Sequence, residues 1–375
     1  MRVLLVCDRE YWILCDIARN LAQILSPTMQ VSILIEADVR EQIEAVFAHQ
    51  QSRHDVVHLL GLGTLYHAHQ RIYIPCVATL WHMEDWKRFD ATVDRVDFLF
   101  VGSQQWMAHA GSHVPPGITM QRMPYGVDPL RFRPDPSARA HFLQRTGLPE
   151  HTLVLGYSGN VEPPNDYRKG LDQLWACLQH LQCTTEIPIV VRLIGRGWST
   201  VTIPADVRDL IVCEAFIERD ALPQFYASLD YYVCTSRMEG VPYPVLEAMS
   251  TGCVVLSTEV GVVPELIREA ENGFLLRDAT LTDDFVAAIK RTAYDAKLRH
   301  ACSERARTTI TKDWAWTTAV SSEVFAHAYR TAIHQYRTRS RGQRLRYLYT
   351  GTLGIYVKRL KRRIRAMLPQ RGTNS

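Results

Sequence analysis

Two glutamates separated by seven residues are the clearest chemical feature of this sequence. Glu239 follows an apolar run, Tyr231–Cys234, that is typical of a buried strand, and Glu247 falls about one turn inside a helix predicted to begin near Pro244. Another apolar run, Cys253–Ser257, predicts the next strand. Because open α/β folds bind ligands beyond the carboxyl ends of parallel strands, both carboxylates are expected to face one crevice.

A crevice with two carboxylates and a helix N-terminus suits a sugar nucleotide. Carboxylate oxygens accept hydrogen bonds from sugar and ribose hydroxyls, and the amides of Val245 and Leu246 are expected to point at the diphosphate. Pro242 and Pro244 have no N–H, so they fix the loop without competing for the anion. Two solvated glutamates on a surface loop are the alternative, but the surrounding Glu-Gly-x-Pro and Leu-Glu-Ala-Met-x-x-Gly patterns favour the crevice.

The stretch from Glu239 to Glu247 resembles the Glu-x7-Glu signature of the retaining glycosyltransferases of family 4. The segments Val260–Ile267 and Glu271–Leu276 continue the resemblance, which is strong over residues 152–317 and weaker before them. It implies the GT-B fold, an α/β architecture of two Rossmann-like domains whose parallel sheets face a central cleft. It also implies that Glu239, with Gly240 beside it, orients the donor sugar, and that Glu247 binds the ribose.

Further donor-site residues follow from the same resemblance. Lys169 matches a lysine that neutralises the diphosphate, and Phe216 lies at a strand end that contacts the nucleotide base in relatives, although core packing explains it equally well. Asn160 stands where the family has an arginine. The resemblance therefore implies weaker stabilisation of the leaving group unless Arg168 or Arg196 supplies the missing charge.

The first half of the chain alternates apolar runs with segments of helical period, which predicts a parallel sheet covered by helices. The predicted strands are Val3–Cys7, Val31–Ile35, Val56–Leu60, Cys76–Leu80 and Phe98–Val101. No Gly-x-Gly-x-x-Gly follows the first strand, so a nicotinamide site is not indicated. His82 ends a strand and resembles the family's histidine beside the transferred sugar. Glu84, Asp85 and Trp86 follow it and are candidates for the acceptor pocket.

Turn-forming residues and the family's interdomain segment divide the chain. We predict an acceptor domain over residues 1–133, a linker over 134–150, a nucleotide-sugar-binding domain over 151–316 and a helix over 317–336 that crosses back to the first domain. Residues 337–375 form a separate tail. In it, apolar residues recur at helical spacing over 353–368 while Lys and Arg fill the other face, which predicts a basic amphipathic C-terminal helix on an anionic membrane surface.

The net charge of +4 hides an asymmetry between this tail and the rest of the chain. Twelve of the 43 Lys and Arg lie after residue 336, with no Asp or Glu, so the preceding residues carry 31 basic against 39 acidic side chains, or −8. The N-terminus enters a strand directly, and the nine cysteines are odd in number and lack Cys-x-x-Cys. These features predict a cytoplasmic enzyme, peripheral on the inner face of the cell membrane.

We therefore expect a retaining glycosyltransferase that moves a sugar from a nucleotide-diphosphate donor to a hydroxyl of a glycan or lipid-linked acceptor in polysaccharide biosynthesis. Glu239 and His82 are the expected catalytic residues. No cofactor is expected, and no metal, because the sequence has no Asp-x-Asp motif and its histidines lack zinc spacing.

Three alternatives remain open. A nucleic-acid glycosyltransferase would explain the basic tail, but the tail lacks interleaved stacking aromatics and the body is acidic. A non-hydrolysing sugar-nucleotide epimerase shares the architecture but should lack the full Glu-x7-Glu context. A catalytically weak partner protein with the same fold would explain Asn160, and turnover of a donor by the isolated chain would distinguish it.

Overall fold

The computed structural model describes residues 1–10, 12–38, 43–68, 72–162, 165–214 and 216–339. The strands of these residues fall into two groups of six. They are β1 Arg2–Cys7, β2 Gln30–Ile35, β3 Val56–Leu59, β4 Cys76–Leu80, β5 Phe98–Val101, β6 Thr119–Arg122, β7 Leu153–Ser158, β8 Ile189–Ile194, β9 Ile211–Cys213, β10 Tyr231–Cys234, β11 Val254–Thr258 and β12 Phe274–Leu276.

Helices alternate with these strands along the described residues. They are α1 Ile13–Leu25, α2 Ile43–Gln51, α3 Gly63–Ala68, α4 Trp86–Asp90, α5 Gln104–Ala110, α6 Pro136–Thr146, α7 Asn165–Arg168, α8 Leu171–Thr184, α9 Leu222–Ala227, α10 Tyr243–Ser250, α11 Val263–Leu266, α12 Leu281–Tyr294, α13 Ala296–Asp313, α14 Trp316–Ala319 and α15 Ser322–Thr338. None of the described helices is both long and apolar enough to cross a bilayer.

The first sheet is parallel throughout, in the order β2-β1-β3-β4-β5-β6. Strands β3, β4 and β5 are buried along their whole length, because helices cover both faces of the sheet. The strands predicted in the first half of the chain are all present. Strand β6, which has partly exposed residues throughout and no apolar run, was not anticipated from the sequence.

The second sheet is also parallel and has the order β12-β11-β10-β7-β8-β9. The strand order reverses between β7 and β10, and such a reversal opens a crevice at the carboxyl ends of the two strands. The two six-stranded sheets confirm the predicted α/β fold of two Rossmann-like domains. The predicted basic amphipathic helix lies outside the described residues.

Two segments connect the domains. The predicted linker contains a helix, α6, because Asp135 caps its first turn through Ser137 N, Pro136 fits the first helical position and Gly147 ends it with a left-handed φ of 68°. The last described helix, α15, returns to the first domain and packs on its sheet, where Phe325 and Tyr329 are fully buried. The tail predicted from residue 337 onward lies outside the described residues beyond Arg339.

Candidate active site

The crevice between β7 and β10 opens into a cleft of about 530 Å³ that both domains line. The second domain contributes the loop after β7, the end of β8 and the loop that joins β10 to α10. The first domain contributes Asp8 and Trp12 from the segment between β1 and α1, and Trp81 and His82 from the segment after β4. The cleft therefore lies between the carboxyl edges of two parallel sheets, where α/β proteins bind ligands.

Most of the residues singled out in the sequence line this cleft. Those that the structure brings together there are Glu239, Gly240, Glu247, Lys169, Asn160, Arg168, Arg196, Phe216 and His82. Their chemistry combines two carboxylates with three cations, so the cleft can bind both hydroxyl groups and a diphosphate.

Glu239 lies in the loop after β10 and is 8% exposed. Its Oε1 accepts hydrogen bonds from Lys169 Nζ at 2.6 Å and from Ser236 Oγ at 2.9 Å, and Oε2 lies 3.4 Å from Arg168 Nη1. Burial alone would raise the pKa of Glu239, but the charges of Lys169 and Arg168 outweigh it, so the pKa lies below its ordinary value. Glu239 is therefore an ionised hydrogen-bond acceptor at neutral pH.

The backbone beside Glu239 is held by the first domain. Trp106 Nε1 donates a hydrogen bond of 2.8 Å to the Glu239 carbonyl oxygen. Gly240 packs so closely on Trp81 that a β-carbon would overlap the Trp81 carbonyl, and Gly261 packs on the Gly240 carbonyl in the same way. These close approaches explain why glycine occupies both positions.

Glu247 lies on α10, and only 1% of its residue surface is exposed. Its Oε1 accepts a hydrogen bond of 2.7 Å from Arg219 Nη2. Burial disfavours the charged guanidinium, but Glu247 and Asp16 outweigh it, so the pKa of Arg219 lies above its ordinary value. Glu247 and Arg219 thus form a buried ion pair at the wall of the cleft. The sequence pattern gave no sign of Arg219, because its partners lie far along the chain.

The charge missing at Asn160 has a candidate replacement in the same cleft. Asn160 Oδ1 accepts a hydrogen bond of 3.1 Å from the Glu162 amide and carries no charge. Arg168 and Lys169 are engaged with Glu239, whereas exposed Arg196 stacks over Phe216 at 4.6 Å and has no ion-pair partner among the described residues. Arg196 is therefore a cation of this cleft whose charge is not paired with a carboxylate of the described residues.

The helix amides expected at the diphosphate are placed differently. Helix α10 begins at Tyr243, and the Val245 N–H already donates to the Pro242 carbonyl at 2.9 Å. The side chains of Val245 and Leu246 are fully buried, and neither residue is among those that line the cleft in the described chain. The expectation that the Val245 amide faces the diphosphate free of a partner is corrected by this internal hydrogen bond.

His82 joins the cleft to a second cavity of about 450 Å³ in the first domain, and lines both. Its pKa is lowered, mainly because surrounding protein disfavours the charged ring, with Glu239 opposing and Arg168 adding to the effect. Glu84 and Asp85 line this second cavity. Trp86 instead stacks on His113 at 3.9 Å and does not line the cavity in the described chain.

A metal centre of several ligands is not formed by the side chains within the described ranges. No three His, Cys, Asp or Glu side chains come together there as a metal site would require.

A family model described as glycosyl transferases group 1 matches residues 140–309. A curated relative, the GDP-mannose-dependent alpha-(1-6)-phosphatidylinositol monomannoside mannosyltransferase of Mycobacterium tuberculosis, is 27% identical over 237 residues that cover 60% of each chain. The D-inositol 3-phosphate glycosyltransferase of Streptomyces griseus is 25% identical over 240 residues, which cover 61% of this chain and 50% of the relative. The chain thus spans about 60% or less of these relatives' length.

Solved structures share the fold at low sequence identity. Anabaena HepE in complex with UDP and glucose superposes with a TM-score of 0.73 and 15% identity, covering 88% of this chain and 100% of that one. The sucrose-phosphate synthase of Thermosynechococcus elongatus gives a TM-score of 0.72 at 16% identity, covering 89% and 99%. The fold is therefore common to these proteins.

Proposed function

We propose that this chain, whose residues 140–309 match the family model of the group 1 glycosyl transferases, transfers a sugar from a nucleotide-diphosphate sugar to a hydroxyl acceptor with retention of configuration. The observation that carries this proposal is the meeting of Glu239, Glu247 and Lys169 in one cleft between the domains. In this proposal the two carboxylates bind hydroxyls, and the lysine binds phosphate.

The donor spans the second-domain side of the cleft in this proposal. Glu247 binds the ribose and Glu239 binds hydroxyls of the donor sugar, since both carboxylates accept hydrogen bonds. Lys169 and Arg196 bind the diphosphate, and Phe216 packs near the base. Charge-assisted hydrogen bonds to the diphosphate strengthen as its negative charge develops, which favours departure of the leaving group.

The reaction breaks the bond between the anomeric carbon and the diphosphate oxygen, and forms a bond from the same carbon to the acceptor oxygen. The acceptor approaches from the first domain on the face that the diphosphate leaves, so the configuration is retained. The proton of the acceptor hydroxyl passes to the departing phosphate oxygen. No side chain acts as a nucleophile, and His82, whose pKa lies below its ordinary value mainly because of desolvation, helps to position the reacting groups.

The donor and acceptor are proposed by chemical class. A mycobacterial relative is described as GDP-mannose-dependent, and HepE was crystallised with UDP-glucose, so guanosine and uridine diphosphate sugars are the donors to test. The same relative is described as acting on a phosphatidylinositol monomannoside. We take a lipid-linked oligosaccharide or a cell-surface polysaccharide precursor as the acceptor, reached by docking of residues 353–368 on the cytoplasmic membrane face.

A nucleotide panel tests the donor site without knowledge of the acceptor. Thermal unfolding is measured with GDP, UDP, ADP and the corresponding sugars, for the wild type and for Glu247→Gln and Lys169→Ala. A ligand at 100 times its dissociation constant stabilises the folded state by about 2.7 kcal/mol. A shift with one base that both variants reduce supports the proposal, whereas no shift with any nucleotide overturns it.

Turnover then tests the stereochemistry and the absence of a metal. With the base identified, octyl glycosides serve as acceptors, and proton NMR of the product reports the anomeric configuration. An α-linked product from an α-linked donor supports retention, and a β-linked product contradicts it. We expect the rate to be unchanged by EDTA, because protein cations bind the diphosphate in this proposal.

A further inference from the structure

Arg219 connects the two domains through one guanidinium group. It lies in the turn before α9, in the second domain, and its Nη2 donates a hydrogen bond of 2.7 Å to Glu247 Oε1. Its Nε donates to Oδ2 of Asp16 on α1, in the first domain. The side chains of Asp16 and Arg219 are 16% and 17% exposed, and that of Glu247 is 1% exposed. The two ion pairs are thus largely shielded from solvent.

The geometry of arginine makes these two contacts interdependent. A guanidinium is planar, and its donors point in fixed directions, so a shift of one partner turns the donor that serves the other. Salt screens such partly buried pairs much less than exposed ones. The orientation of the Glu247 carboxylate therefore depends on the position of Asp16.

Arg131, in the loop before α6, joins the same network. Arg131 Nη2 donates a hydrogen bond of 2.9 Å to the Arg219 carbonyl, and Arg131 Nη1 lies 3.7 Å from Asp16 Oδ2. Arg131 also pairs with Asp220 at 2.7 Å, but that carboxylate is 99% exposed. Arg219 is thus held on its backbone by Arg131 and on its side chain by Asp16, both from the first domain.

The other oxygen of Glu247 is left for a ligand. Oε1 is taken by Arg219, while Oε2 has no hydrogen-bond partner among the described residues, although the residue is almost fully buried. Glu247 and Arg219 line the cleft, whereas Asp16 is not among the lining residues in the described chain. Asp16 is therefore connected to the cleft by its hydrogen bond with Arg219.

We propose that Arg219 is a positioning residue for nucleotide recognition, which aims the free oxygen of Glu247 at the ribose and makes that aim depend on Asp16 of the opposite domain. This inference rests on the proposed function, because it assigns the ribose to Glu247. Nucleotide affinity and the approach of the domains at α1 are then coupled, and each strengthens the other. The second domain alone would bind the ribose poorly.

The test is isothermal titration of GDP, UDP and their 2′-deoxy forms into the full chain and three variants. Asp16→Asn removes the negative charge of Asp16, and Arg219→Lys keeps a positive charge but replaces the planar guanidinium by a single ammonium nitrogen. Asp220→Asn is the matched control, since it removes a carboxylate from the exposed side of the same network. Thermal unfolding of each variant without nucleotide checks that it is folded.

We expect Asp16→Asn and Arg219→Lys each to weaken binding of the preferred ribonucleotide by about 5-fold or more, within the usual range of coupling between sites. Both should also reduce the preference for the ribonucleotide over its deoxy form, which a general loss of stability would not do. Asp220→Asn should bind like the wild type. If Asp16→Asn does not fold, the nucleotide titrations of Arg219→Lys alone test the inference.

Two different results overturn the inference. Wild-type affinity and an unchanged ribose preference in the folded variants would show that Arg219 does not position Glu247, and would leave the proposed function standing. A wild-type chain that binds none of the nucleotides would remove the proposed donor site and this inference with it. The two failures are therefore distinguishable.

Discussion

Lys169 Nζ lies 2.6 Å from Glu239 Oε1, so the cation assigned to the donor diphosphate also fixes the carboxylate assigned to the donor sugar. Ser236 and Arg168 support the same carboxylate. An ammonium group has three donors, so Lys169 can bind phosphate without releasing Glu239. In the proposed reaction, one residue would thus align the leaving group with the donor sugar.

Replacement of Lys169 by alanine should lower kcat by about 100-fold or more, the usual cost of removing one positioned donor from a developing negative charge. The same change at Lys297, an exposed lysine of α13, is the control and should leave kcat unchanged. Steady-state kinetics with a saturating donor measures both. A Lys169→Ala enzyme with wild-type kcat would remove Lys169 from the chemistry.

Replacement of Arg196 by alanine should raise the donor KM by about tenfold, because a hydrogen bond to a charged group contributes about 1.5–3 kcal/mol. Arg208→Ala, on the exposed surface of the same domain, is the matched control. Arg196→Lys should recover part of the affinity for the diphosphate. A donor KM unaffected by Arg196→Ala would mean that the charge missing at Asn160 is not supplied by Arg196.

Substitution of Gly240 by alanine should reduce activity by about 100-fold, since a β-carbon there would overlap the Trp81 carbonyl and push the Glu239 loop away, and a displacement of about 1 Å has that effect on rate. Gly111→Ala is the control, because the nearest atom to its β-carbon lies at 3.5 Å and its φ is −56°. Circular dichroism should show both variants folded. Full activity of Gly240→Ala would contradict the predicted displacement.

His58 should make the first domain less stable in acid. It is fully buried between Thr79 Oγ1 at 2.9 Å and the Tyr329 hydroxyl at 3.1 Å, and burial lowers its pKa to about 3. Between that value and the unfolded pKa of about 6.5, the unfolded chain binds a proton that the folded chain does not, so stability falls as the pH is lowered. From pH 7.5 to 5.5 the loss is about 1.4 kcal/mol.

The measurement is urea unfolding of the wild type and of His58→Gln at both pH values. The contribution of Asp97 to the pH dependence of stability has the opposite sign. Burial raises the pKa of Asp97 to about 7, so its contribution to stability falls as the pH rises from about 4 to 7. Only the difference between wild type and variant isolates His58. If that difference is the same at pH 7.5 and 5.5, His58 does not titrate on unfolding.

Much of the fold could be predicted because buried parallel strands leave unbroken apolar runs. Strands β3, β4 and β5 are such runs, and their predicted ends differ from the observed ends by at most one residue. Strand β6 lacks the signal because its residues are only partly buried. The helix inside the predicted linker was also missed. Its N-cap, Asp135, and its C-cap, Gly147, are residue types that are typical of helix ends.

From the sequence, only those residues of the cleft that lie in a short, recognisable motif could be predicted. Glu239 and Glu247 are close in sequence, and the structure places them with Lys169 in one cleft, while their roles stay predictions. Arg219 was missed, because its pairing with Asp16 joins residues 203 positions apart. The Val245 amide was misjudged, because the hydrogen bond that occupies it depends on the exact start of α10.

The return of α15 to the first domain sets the order in which the chain can be completed during synthesis. Phe325 and Tyr329 cover the first sheet, but they emerge from the ribosome after the whole second domain. At the usual translation rate of about 5–20 residues per second, one face of the first sheet stays uncovered by α15 for roughly ten seconds or more. The domain that is synthesised first is therefore finished last, and a truncation before α15 leaves it unfinished.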